Sequence, residues 1–188
     1  MNVFLKKHLP DWIIKARAKW QYTGKERPDF AITPKDGQMS VWDFSRPPTV
    51  KSIKELVRVL FKEDVLVKTN NALAVCETAN PPTVYIPPTD VNINLLVQIK
   101  DRHSWCEWKG KANYWALKSN PNVIIAWTYE APFDEYKMLK KYFSFYPQTL
   151  DCFIGEEKVQ AQKSTVYAGW VIKNLVGPFK GAKGTEHW

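Results

Sequence analysis

A chain of 188 residues and 21.8 kDa holds one compact domain with an extension more readily than two full domains, at ~100–200 residues per domain. With 45% hydrophobic and 24% charged residues it is an ordinary globular composition, which excludes a disordered or collagenous chain, and no apolar run approaches the ~20 residues of a spanning helix. The net charge of +8 and pI near 9.3 raise the question of a polyanionic partner.

Seven basic residues up to Phe30 (Lys6, Lys7, Lys15, Arg17, Lys19, Lys25, Arg27) face three acidic ones, so half of the excess lies in the first sixth of the chain. No later block of like charges and no nucleic-acid motif accompanies it, and the reading is a solvated basic surface with no nucleic-acid partner. Basic residues Lys6 and Lys7 lack a following apolar region and cleavage site, so a cytoplasmic location is expected. Cys76, Cys106 and Cys152 lack the paired spacings of a disulfide framework or zinc knuckle, so reduced thiols, no metal and no cofactor are expected.

Taken in chain order, Asp11 to Gln21 places Trp12, Ile13, Ala16 and Trp20 at helical spacing after Pro10, which predicts a short amphipathic helix. Two roles are open to it: docking on the domain, or meeting an acidic membrane surface or a partner protein. Thr23 to Gln38 breaks every period with Gly24, Pro28, Pro34 and Gly37, so residues 1–38 read as helix plus linker and residues 39–188 as a single domain.

From Met39 the period is mostly two. Leu56–Phe61 and Val65–Lys68 form a predicted hairpin about Lys62-Glu63-Asp64. Further strands are expected at Ala72–Glu77, Thr83–Ile86, Val91–Ile99, Ser104–Trp108, Asn113–Leu117, Val123–Tyr129, Cys152–Ile154 and Ala168–Ile172. One internal helix is predicted, opened by Asp134 and Glu135, with Tyr136, Leu139 and Phe143 on one face. The glycine-rich stretch after Val176 reads as loop.

Aromatic residues make up 14% of the chain, with nine tryptophans. Most tryptophans of a small β domain are core, but Trp105, Trp108, Trp115, Trp127 and Trp170 together exceed what one core requires, so some are expected to wall a pocket. In the segment Ser104 to Trp115, extended geometry puts Ser104, Cys106 and Trp108 on one face, and Lys109-Gly110 supplies a turn. A cysteine beside an ammonium can become a nucleophile, whereas one packed among tryptophans is inert; no histidine shares its face, since His103 points the other way. The proline-stiffened segment Cys76 to Val91 carries Glu77 and Asp90 at its ends. Convergence of Glu77 and Asp90 on Lys109 would give acid, base and electrophile, or a buried ion network.

These two segments, with Val41-Trp42-Asp43-Phe44-Ser45-Arg46-Pro47-Pro48 and the tail from Gly169 to Gly181, resemble the bacterial and fungal family called domain of unknown function 427. The strings Glu77-Thr78-x-x-Pro81-Pro82, Cys106-x-x-Lys109-Gly110-x-Ala112-x-Tyr114 and Gly177-Pro178-Phe179-Lys180-Gly181 carry the resemblance. It implies a mainly β fold of the β-tent kind: a pair of antiparallel sheets with a pocket between them, to which this chain adds one internal helix and an N-terminal helical extension like that of photosynthetic-bacterial members. Some members carry a nucleotidyltransferase label. This sequence has no glycine-serine turn followed by paired acidic metal ligands, so the label has no residues to rest on.

The leading expectation is a domain that binds an unidentified small molecule through Tyr85, Trp108, Trp127 and Trp170, with Glu77, Asp90 and Lys109 as polar determinants. The alternatives are a transferase or hydrolase using Lys109 or Cys106 with Glu77 or Asp90 as base, and a scaffold that works through the basic N-terminal helix. The Phe179-Lys180-Gly181 tail is either a lid on the pocket or a packed surface tail.

Overall fold

The computed structural model describes residues 9–185 and 187–188. Helix α1 (Asp11–Ala18) is followed by a mainly β body. Its strands are β1 (Met39–Ser40), β2 (Thr49–Ser52), β3 (Val57–Phe61), β4 (Asp64–Thr69), β5 (Leu73–Cys76), β6 (Thr83–Tyr85), β7 (Leu96–Cys106), β8 (Gly110–Leu117) and β9 (Asn120–Tyr129). Then come β10 (Phe143–Phe145), β11 (Asp151–Ile154), β12 (Glu157–Lys158), β13 (Gln160–Ala161), β14 (Trp170–Val171) and β15 (Leu175–Val176).

Three antiparallel sheets carry the architecture: β10-β9-β8-β7, β12-β11-β3-β4 and β2-β5-β6. Two-stranded ladders β13-β14 and β1-β15 complete the set, the last being parallel. The hairpin expected about Lys62 is present as β3 and β4, with Lys62 in the left-handed region at φ 55°. Strand β7 lies at a sheet edge, is exposed along most of its length, and is interrupted by an irregularity between Gln98 and His103. Lys100, Asp101 and Arg102 occupy that bulge, and charge at a bulged edge discourages pairing with another chain. Among the described residues no helix is long and apolar enough to cross a membrane.

The core divides into three apolar clusters. One joins Val57, Val59, Leu66, Ile86, Ile125, Phe145, Cys152 and Trp170 between the first two sheets. A second holds Tyr85, Trp108, Trp127, Tyr129, Tyr136 and Leu139, and it borders the site described below. The third is built on Val41, Trp42, Phe44, Ala74 and Cys76. Residues 23–38 form no regular element, yet they are packed on this third cluster. Phe30 and Tyr22 meet the Trp42 ring edgewise at 5.1 and 5.2 Å, and the Ile32 amide donates to the Gly177 carbonyl at 2.9 Å.

Two expected elements differ. The internal helix is a six-residue 3-10 segment, Asp134–Leu139, broken by a non-helical Tyr136 whose hydroxyl donates to the Pro48 carbonyl. Phe143, expected on the helix face, instead opens β10 and pairs with Thr128 and Ile86, so tertiary strand pairing overrides a favourable charge and apolar pattern. The expected strand Val91–Ile99 begins only at Leu96, because Ile93–Leu95 makes another 3-10 turn.

Candidate functional site

A cavity of about 340 Å³ opens where β5, β6, β7, β8 and β9 meet the N-terminal segment and the C-terminal tail. Tyr85, Trp127 and Tyr129 reach it from adjoining strands; the Tyr85 ring sits 6.4 Å from both Trp127 and Tyr129, and Trp127 lies 4.7 Å from Tyr146. The Tyr85 side chain is fully buried, and its hydroxyl has no hydrogen-bond partner among the described residues. An orphaned hydroxyl in a polar-lined hollow is a place for a ligand atom or water, because leaving it unmatched costs ~1–3 kcal/mol.

Lys109 enters from the turn between β7 and β8. Gly110, at φ +100°, lets the chain reverse there, and the pairing of Cys106 with Gly110 puts Cys106 and Lys109 side by side on the cavity wall. Burial works against the Lys109 ammonium; the Cys106 sulfur and Tyr85 oxygen favour it only once they are ionised, and the Glu77 carboxylate favours it already at neutral pH, so that the net direction is above the ordinary lysine value. Burial pushes the Cys106 thiol up, with only partial relief from Lys109. The same cause raises the phenols of Tyr85, Tyr129 and Tyr146, and takes Tyr167 to about 12.

At neutral pH the lining therefore offers a cationic Lys109, neutral phenols and a neutral thiol. This removes Cys106 as a ready nucleophile. Alkylation of Cys106 by iodoacetamide is expected to be slow at pH 7 and to climb only above the ordinary thiol range, read by peptide mass mapping. Rapid labelling of Cys106 at pH 7 would contradict this account.

Glu77 is fixed by Arg46. The Arg46 Nε donates to Glu77 Oε1 at 3.0 Å, Nη1 to the Tyr22 carbonyl and Nη2 to the Thr78 carbonyl, each at 2.9 Å. The guanidinium also lies 4.4 Å from the Trp20 ring. Trp20 is tied in turn by its indole N–H, which donates to Glu107 Oε1 at 2.9 Å, while Arg17 Nε donates to the Glu107 carbonyl. The predicted helix thus docks on the turn that carries Lys109.

Three expected site residues lie elsewhere. Asp90 sits in the 3-10 turn Pro88–Asp90, where its carboxylate accepts from the Thr69 hydroxyl, the Asn71 amide and the Thr89 hydroxyl and is held below the ordinary range by them. It does not line the cavity, so the trio with Glu77 and Lys109 is not formed. Trp108 falls in the tight turn and turns away from the cavity to meet the Arg17 guanidinium at 5.0 Å. Trp170 is core, its indole N–H donating to the Phe145 carbonyl. Glu77, Tyr85, Cys106, Lys109 and Trp127 do line the cavity.

The main residue that sequence reasoning left unassigned is Lys180. The tail is tied down rather than hinged: the Lys180 amide donates to the Ala79 carbonyl at 2.8 Å, and its own carbonyl accepts from Gln162 Nε2. Gln162 Oε1 accepts from the Gly169 amide at 2.9 Å, and a Cβ on Gly169 would collide with Gln162 and Pro81. The Lys180 side chain is buried against the cavity, with Nζ 3.5 Å from the centre of the Trp20 ring. The string Gly177-Pro178-Phe179-Lys180-Gly181 was the available signal; nothing local says that its lysine turns inward.

These features define a β-rich domain with a partly enclosed chamber walled by phenols and indoles and carrying buried amines. The chain belongs to the family described as NTP_transf_9, domain of unknown function (DUF427), whose model matches residues 49–156. Among curated proteins no match was found. No group of three or more His, Cys, Asp or Glu side chains among the described residues is placed to hold a metal ion.

Proposed function

We propose that this domain binds a compact planar ligand carrying an anionic group, its ring against Trp127 and Tyr146 and its anion at Lys109. The observation that carries the reading is a cavity with flat aromatic walls, a buried ammonium and an orphaned Tyr85 hydroxyl. Its volume lies at the lower end of the ~300–1,000 Å³ range of small-molecule sites, which favours a single-ring ligand. Lys19, Lys109 and Lys180 line the wall against Glu77 and Glu107, and Glu77 is already engaged by Arg46, so the free charge is cationic.

A screen of single-ring aromatic carboxylates by thermal shift tests this. A binder is expected to raise the melting temperature of the wild type. Lys109→Met is expected to weaken its Kd roughly ten- to a hundredfold, the loss of one charge-assisted hydrogen bond, and Trp127→Ala is expected to weaken it as well. If no compound stabilises the wild type more than it stabilises these variants, the reading fails.

A further inference from the structure

A carboxylate, an ammonium and an unmatched phenol share one chamber, because Glu77, Lys109 and Tyr85 all line it. Glu77 follows β5, and Arg46 grips it on one oxygen only: the Arg46 Nε donates to Oε1 at 3.0 Å, and no hydrogen bond among the described residues reaches Oε2. The Glu77 side chain keeps 18% of its surface accessible, so Oε2 is open to the cavity. The Tyr85 hydroxyl is buried and has no hydrogen-bond partner among the described residues. Lys109 stands within charge range of both. An open carboxylate oxygen facing two O–H and N–H donors is the set that moves a proton off a carbon beside a carbonyl group.

We propose that the chamber enolises an aromatic 2-oxo acid: Glu77 takes a proton from the carbon beside the keto group, while Lys109 and the Tyr85 hydroxyl hold the oxygen on which charge collects. This rests on the ligand-site reading above and narrows the ligand to a 2-oxo carboxylate with a C–H bond next to the keto carbon. In such an acid the carboxylate and keto oxygens sit on adjacent carbons, so one ammonium serves both and the aryl ring is left for Trp127 and Tyr146. Glu77 Oε2 accepts the proton, the C–H electron pair becomes the new C=C bond, and the carbonyl π pair moves to oxygen. A solvent proton on that oxygen gives the enol, and Glu77 releases its own to solvent. Ketone and enol have the same atoms and oxidation state, so no further reactant is needed.

The contacts divide the labour. Arg46 is itself pinned by the Tyr22 and Thr78 carbonyls, so the Glu77 carboxylate is held in one place and its second oxygen needs no search for its orientation. Donors fixed in a buried wall meet developing negative charge more effectively than water does, since they need not reorganise as it forms. Other groups are committed elsewhere. Burial keeps the Cys106 thiol protonated, and Asp90 lies outside the cavity among Thr69, Asn71 and Thr89. The Lys180 ammonium is spent on the Trp188 carbonyl at 2.8 Å and the Trp20 ring at 3.5 Å. Glu77 is left as the base.

The test follows loss of the methylene hydrogens of phenylpyruvate in heavy water by proton NMR. Benzoylformate, which has no hydrogen beside its keto group, is the matched ligand for binding by thermal shift. With the full chain, exchange is expected to run roughly tenfold or more above the protein-free rate. Glu77→Gln keeps an oxygen for Arg46 but removes the base, and is expected to lower the protein-dependent exchange roughly a hundredfold while benzoylformate still raises its melting temperature. Should the amide disturb folding, judged by melting, Glu77→Asp takes its place: it keeps the charge, draws the base back by one methylene, and is expected to slow exchange with binding intact. Stabilisation by benzoylformate or another aromatic carboxylate, without exchange above the protein-free rate, overturns the enolisation alone. No stabilisation by benzoylformate or any aromatic carboxylate overturns the ligand-site reading with it. Exchange that survives Glu77→Gln undiminished overturns the assignment to Glu77.

Discussion

Arg46→Met is expected to lower the unfolding free energy by about 3–5 kcal/mol in denaturant titration, the range for breaking a buried ion pair by removing one partner. Methionine preserves much of the stem volume but leaves the Glu77 carboxylate and the Tyr22 and Thr78 carbonyls without their donor. Arg46→Lys is expected to recover only part of the loss, because an ammonium cannot spread three bonds across a fixed planar fork. A loss below about 1 kcal/mol for the methionine variant would show that solvent replaces the guanidinium readily.

The second large effect is at Trp42. Trp42→Ala is expected to cost about 3–5 kcal/mol, as for other fully buried aromatic truncations. Its ring meets Tyr22, Phe30 and Trp188 at 5.1–5.3 Å, and its indole N–H donates to the Pro178 carbonyl. Since this one residue joins the segment before the sheets to the segment after them, residues 23–38 should also become readily cut by protease in the variant. Trp105→Ala is the control. That side chain is 52% exposed beside Trp12, and its loss should stay within about 0.5 kcal/mol. Equal costs for the two would dispute the role assigned to Trp42.

Strands were legible where a short apolar or alternating run is bounded by turn residues: β3, β4, β5, β6, β8 and β9 lie close to their expected spans, β3 alternating in burial and β5 and β6 buried almost throughout. The 3-10 segment at Asp134–Leu139 was not legible, since its charges and apolar spacing fit a helix and only the pairing of Phe143 with Thr128 and Ile86 decides otherwise. In the site, Glu77, Tyr85, Cys106, Lys109 and Trp127 could be inferred because they flank turns and strand ends that carry polar groups among aromatics. Asp90 could not be separated from them by sequence, because its partners Thr69 and Asn71 arrive from another hairpin end. Trp108 and Trp170 failed for a related reason: a turn residue has no alternation to fix its face, and Trp170 belongs to a strand only two residues long. Lys180 depended on contacts distant in the chain, with Ala79 and with Trp20.

The chamber is closed by parts that no sheet owns. Trp20 arrives ahead of the first strand, while Tyr167 and Lys180 come from irregular stretches near the other terminus. A chain trimmed to its main ladders could therefore keep an intact scaffold and still have a roofless room, with the floor of tyrosines in place and neither the shutter nor the amine above it.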